Sequence, residues 1–157
     1  MANLKNVLAY LCFFYPKASE LSKARLTKMV YLADWKSAID LGRQMTEVKW
    51  QIDQHGPYVD DILELAKSDP DFEIETSENV FGSPKTLISL KNRKVDFSLL
   101  ESEKLILNHV IQTTARKNFE EFIKLVYSTY PAITQEKYKK IDLESLAKEY
   151  KTINEIL

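Results

Sequence analysis

Apolar positions along this chain change period several times, and the changes divide it into elements. Leu4, Val7, Leu8, Leu11 and Cys12 recur at the spacing of one helical face. This predicts an amphipathic helix from Asn3 to about Phe14, stopped by Pro16. Ser22 is a good N-cap for a second helix, and Leu21 before it is placed to staple onto Leu26. In that helix Leu26, Met29, Val30 and Ala33 form one apolar stripe, and Tyr31, Trp35 and Ala38 form another. A helix apolar on two faces belongs between other elements. Gly42 is positioned to close it in the left-handed conformation, with Arg43 just beyond.

The period then drops to two. Val48, Trp50 and Ile52 alternate with Lys49, Gln51 and Asp53, as in a half-buried strand. Gly56-Pro57 reads as a strand-to-helix turn, with Pro57 at the first helical position and Val59, Ile62, Leu63 and Ala66 facing inward. Ser68 to Asp71 ends that helix. Phe72, Ile74 and Thr76, and later Leu87 and Ser89, alternate again and predict a hairpin whose loop runs from Asn79 to Pro84. Helical spacing returns from Glu101 through Leu105, Ile106, His109 and Val110. Asn118 and Glu121 form a capping-box pattern opening Phe119 to Tyr127. Pro131 breaks the chain, and a last helix begins after Asp142, with Leu143, Leu146, Ala147 and Tyr150 on one side. The expected fold is mainly helical α+β: about five or six helices around a small antiparallel sheet or hairpin, in a single domain over residues 1–157.

Composition narrows the function classes. Three glycines and five prolines in 157 residues, with 45% hydrophobic residues, exclude a disordered or fibrous chain. The net charge of −1 gives no global attraction to nucleic acid or to an anionic membrane. The single Cys12, among Leu11, Phe13 and Phe14, reads as a buried and inert thiol that fits a reducing cytoplasm. The longest apolar run, Val7 to Tyr15, is about half the length of a membrane span, and the lead before it carries one lysine and no small-residue cleavage site, so neither a transmembrane segment nor a signal peptide is expected.

One stretch carries more than pattern. Leu26-Thr27-Lys28-Met29-Val30-Tyr31-Leu32-Ala33-Asp34 is followed by Leu41-Gly42-Arg43 and then by Gly56-Pro57-Tyr58-Val59. This ordered series resembles the signature of the Panacea domain, the SocA-like antitoxin family of bacterial and phage type II toxin–antitoxin systems. The motif positions are Leu26, Lys28, Tyr31, Ala33, Asp34, Gly42, Arg43, Gly56 and Pro57. Leu41 stands where the family often has an aromatic residue, and Leu125 to Pro131 lacks the family's His and Trp, so no role is carried over to that segment. The resemblance implies an antitoxin that neutralises a cognate toxin by direct binding, the toxin being encoded by an adjacent gene. For some relatives it also implies handing the toxin to a protease. Neither task needs a catalytic centre or a cofactor.

The residues themselves agree with a binding module. Asp53, His55, Asp60 and Asp61 crowd one turn, but their spacing matches no established metal signature. Cys12 and His109 lack the context of a nucleophile and its base, and the scattered glycines make no phosphate loop. A winged-helix DNA-binding regulator is the alternative, since a helix, a strand, a helix and a hairpin follow one another. Its recognition helix would carry Asp60, Asp61 and Glu64 against Lys67 and repel phosphates, while Lys85, Lys91, Arg93 and Lys94 gather at a strand end. An acidic rim suits a basic toxin surface better. Trp35, His55, Tyr58, Asp60, Asp61 and Glu64 are therefore the expected toxin-binding residues, aromatics as anchors and acids as rim. Trp35 belongs either to this surface or to the core, because its helix reads as buried on both sides.

Overall fold

The helix that the sequence places between other elements is the axis of the fold. In this computed structural model, which describes residues 1–78 and 80–156 without the side chain of Ile156, it is α2 (Lys23–Leu41). α1 is the helix before it (Leu4–Phe14), and a short 3-10 turn at Ala18–Glu20 joins the two. Ser22 Oγ accepts the Arg25 N–H at 3.2 Å, and Gly42 ends α2 at φ 75°. Twelve of the 19 residues of α2 are buried, both predicted stripes among them. Around it pack α1, α3 (Asp61–Ser68), α4 (Glu101–Ala115), α5 (Phe119–Tyr127) and α7 (Leu143–Ile156).

Two antiparallel hairpins complete the described residues. β3 (Phe72–Glu78) pairs with β4 (Pro84–Leu90), Phe72 opposite Leu90. Asn79, in the predicted loop, lies outside the described residues. At the hairpin tip Val80 and Phe81 are 93% and 88% exposed. The sheet is held to the segment just before α2 by the Ile88 N–H, which donates to Leu21 O at 3.0 Å.

The second hairpin corrects the reading of Gly56-Pro57. β1 is Gln51–Asp53 and β2 is Gly56–Tyr58, so Pro57 lies in a strand opposite Ile52, and α3 starts only at Asp61. The cause is local. Asp53 Oδ1 accepts the His55 N–H at 2.7 Å, and Gly56 adopts φ 90°, which together fold the chain back before any helix can begin. Proline is harmless in so short an edge strand. The predicted alternation survives as burial, with Val48, Trp50 and Ile52 enclosed. Their backbone partner comes from far along the chain: Ile141 N–H donates to Trp50 O at 3.0 Å.

Two further expectations change. Pro131 sits inside a short helix, α6 (Tyr130–Thr134), where its missing N–H belongs to a first-turn group with no helical partner in any case. The described residues thus hold seven α-helices, beyond the five or six expected. On α4 the buried face is Ile106, Leu107, Val110, Ile111 and Thr114, while Leu105 and His109 point to solvent. The predicted capping box is present: Asn118 Oδ1 accepts the Glu121 N–H at 2.8 Å and Glu121 Oε1 accepts the Asn118 N–H at 3.2 Å. Cys12 is buried in α1, and desolvation pushes its thiol up to about 12.

Candidate functional site

Three charged side chains of α2 are almost completely enclosed, and each is treated differently. Asp34 is a hub. Its Oδ1 accepts the Thr46 N–H at 2.8 Å, and its Oδ2 accepts Thr46 Oγ1 at 2.6 Å, Trp50 Nε1 at 2.8 Å and Gln44 Nε2 at 3.2 Å. Desolvation pushes its carboxyl up to about 6, against the opposing pull of these donors. Tyr31 takes the other side of the same indole, ring to ring at 5.5 Å, and its hydroxyl is 2.7 Å from Thr129 Oγ1. One turn of α2 therefore seats Trp50, and with it the start of the β1–β2 hairpin.

Arg25 is spent on a helix end. Its Nη2 donates to Thr114 O at 2.7 Å and Lys117 O at 2.9 Å, where α4 terminates and its dipole is negative. The guanidinium also lies 4.7 Å from the Phe122 ring centroid. Lys28, three residues on, has no comparable use. It is 3% exposed, and its Nζ lies 5.7 Å from the Tyr58 ring centroid. Among the described residues it makes no hydrogen bond or ion pair. Burial lowers its pKa, and the nearby Asp53 works in the opposite direction.

Lys28 borders a cavity of about 460 Å³. One wall is the β1–β2 hairpin, with Asp53, His55 and Tyr58; the other is α5, with Phe119, Ile123 and Tyr127. The walls meet at Gly56, where a Cβ would run into the Tyr127 ring. Tyr58 is half-buried, and desolvation followed by the adjacent Asp60 raises the pKa of its hydroxyl. Asp60 is the N-cap of α3, and Asp61 and Glu64 lie in its first turn, all three exposed. Carboxylates there are favoured by the helix dipole, so the acids also serve the helix.

Of the expected partner-facing residues, the structure brings His55 and Tyr58 into one cavity, with Asp60 beside Tyr58. Glu64 follows one turn later, while Asp61 borders a separate hollow beside Met1 to Leu4. Trp35 is not available to a partner: it is 7% exposed, with its ring against Tyr150 at 5.6 Å. Sequence reasoning missed the α5 wall. Phe119, Ile123 and Tyr127 recur every four residues beside the buried pair Phe122 and Val126, a second stripe that could have marked an outward apolar face. The basic residues of the alternative reading are partly engaged within the chain. Lys85 Nζ donates to Ser19 O at 2.9 Å, and Arg93 stacks on Phe13 and donates to its carbonyl. Among the described residues, no group of three or more His, Cys, Asp or Glu is placed to hold a metal ion, and no helix is long and apolar enough to cross a membrane.

A family model described as "Antitoxin SocA-like, Panacea domain" matches residues 26–132. The chain belongs to this family. No curated protein and no solved structure matches it. The Panacea match opens at Leu26 and so takes in Lys28, the Asp34 hub, both hairpins and the α5 wall. An antitoxin role follows from the family, and with it a toxin partner and a task that points away from catalysis.

Proposed function

We propose that this Panacea protein neutralises its toxin, the product of an adjacent gene, by binding it directly. The contact face is the β1–β2 hairpin with the start of α3: His55 and Tyr58 as anchors, Asp60, Asp61 and Glu64 as rim. The observation that carries this reading is the half-buried Tyr58 between an open cavity and a row of exposed carboxylates, an apolar anchor with a charged border. Trp35 drops out of the set because the core encloses it. Acids on this border would steer a basic toxin surface into register.

Co-expression with the adjacent gene tests the reading. The wild-type chain should copurify with the toxin and restore growth. The triple variant Asp60→Lys, Asp61→Lys, Glu64→Lys should bind at least about tenfold more weakly, as expected for loss of a complementary border. The lysines at the N-cap and in the first turn cost α3 about 1 kcal/mol each at most, so circular dichroism should still show a folded helical chain. A folded triple variant that rescues growth and binds as well as wild type would remove this face from the interface.

A further inference from the structure

The contrast between Arg25 and Lys28 identifies a subsite within that face. Both are cations of α2, three residues apart and almost fully enclosed. Arg25 Nη2 is met by two carbonyls at the end of α4 and its guanidinium lies over the Phe122 ring, although its Nε has no hydrogen-bond partner among the described residues. The Lys28 ammonium borders the open cavity 5.7 Å from the Tyr58 ring centroid, with the charge of Asp53 nearby but no hydrogen-bond acceptor among the described residues. Most of the lysine is withdrawn from bulk water, and an ammonium in that position without a hydrogen-bond acceptor gains when a ligand supplies one.

The walls say what kind of acceptor fits. Phe119, Ile123 and Tyr127 offer apolar surface on one side and Tyr58 on the other, suited to the carbon stem of a side chain. Asp53 shares the cavity, and its charge repels an incoming dianion more strongly than a monoanion. Lys23 lies at the margin as a second cation. Phe119 is 51% exposed, so part of this apolar lining is left uncovered by the chain itself. A single carboxylate on a short carbon chain meets all of these conditions better than a phosphate does.

We infer that the Lys28 cavity receives an Asp or Glu side chain of the toxin, whose carboxylate binds the Lys28 ammonium while its stem packs between Tyr58 and Tyr127. This rests on the direct-binding reading and adds a charge of the opposite sense to it. The toxin's basic groups meet the exposed acids, and one of its acids enters the basic cavity. Alternating signs of this kind fix register, since a partner displaced along the face would set like charges together.

The test uses the full chain and its toxin. Lys28→Met keeps the stem and removes the charge. It should weaken toxin binding measured by calorimetry about ten- to a hundredfold, the range for a hydrogen bond to a charged group. The melting temperature of the free variant should be equal to or above that of wild type, because an unpaired buried charge has gone. Paired with carboxylate-to-amide variants of the toxin, Lys28→Met should abolish the effect of one particular toxin acid. Unchanged affinity in Lys28→Met, or the lack of any toxin acid coupled to Lys28, would overturn the inference. So would a lowered melting temperature in Lys28→Met without such coupling, which would make Lys28 a structural residue. If the wild-type chain does not bind the toxin at all, direct binding fails and the toxin's acid cannot be the occupant. Acetate titrated into the free chain and followed by NMR at Tyr58 and His55 then separates the causes. A saturable shift lost in Lys28→Met would reassign the cavity to a free small carboxylate, and no shift would leave it without any carboxylate function.

Discussion

At the scale of single residues, the family motif reads as a set of packing instructions for one turn of helix. Tyr31 and Asp34 grip the same indole from two sides. Asp34→Asn should be costly out of proportion to its size. An amide offers one acceptor oxygen where the carboxylate has two, and it turns an NH2 group towards donors from Thr46, Trp50 or Gln44. About 2–4 kcal/mol of stability should be lost, measured by urea denaturation at neutral pH. Asp34 also makes a pH prediction. Its folded carboxyl holds its proton more tightly than the ordinary value of 3.8, so the folded state binds more protons than the unfolded one between 3.8 and about 6. Asp34's contribution to stability, taken as wild type minus Asp34→Asn, should therefore fall as pH rises through that window and level off above it. A difference that rises with pH would show that the hydrogen bonds outweigh desolvation.

At the scale of elements, the β1–β2 hairpin is the piece whose form depends most on one position. Gly56 combines φ 90° with a neighbour, Tyr127, where a Cβ would go. Gly56→Ala should cost about 1–3 kcal/mol through backbone strain and should push the α5 wall away from the hairpin. Gly82→Ala is the control. It has φ 77° but open space around it, so it should cost less, and thermal melts of the two variants would rank them. The same hairpin marks the limit of what the sequence makes legible. Caps and stripes are local, and Asn3, Ser22, Gly42, Asn118 and Asp142 all lie at the helix boundaries that their chemistry predicts. Gly56-Pro57 fits a helix start and an edge strand equally well, and the Asp53–His55 turn decides between them. The candidate cavity is harder still. Its hairpin half lay within the motif, whereas its α5 half comes from a distant helix and is joined to it by tertiary packing alone.

At the scale of the whole molecule, the family match covers residues 26–132, yet one hydrophobic cluster runs from Ala2 to Ala147. α7 lies along α2, with Leu143, Leu146 and Ala147 buried. Glu144 Oε1 accepts the Gln44 N–H at 3.0 Å, beside the Asp34 hub. A chain trimmed to residues 26–132 should therefore lose cooperative folding, uncovering Trp35 together with the α1 face of the core. A broad, low-temperature melt and poorly dispersed NMR signals are expected, and a sharp transition near that of the full chain would show that the flanks are dispensable. Cys12 has a practical consequence for experiments on this molecule. A thiol that is buried and stays protonated reacts slowly with maleimides, because the thiolate is the reactive form. A cysteine introduced at the exposed Val80 would then take a fluorophore with little background, turning the β3–β4 tip into a ruler for how the toxin approaches.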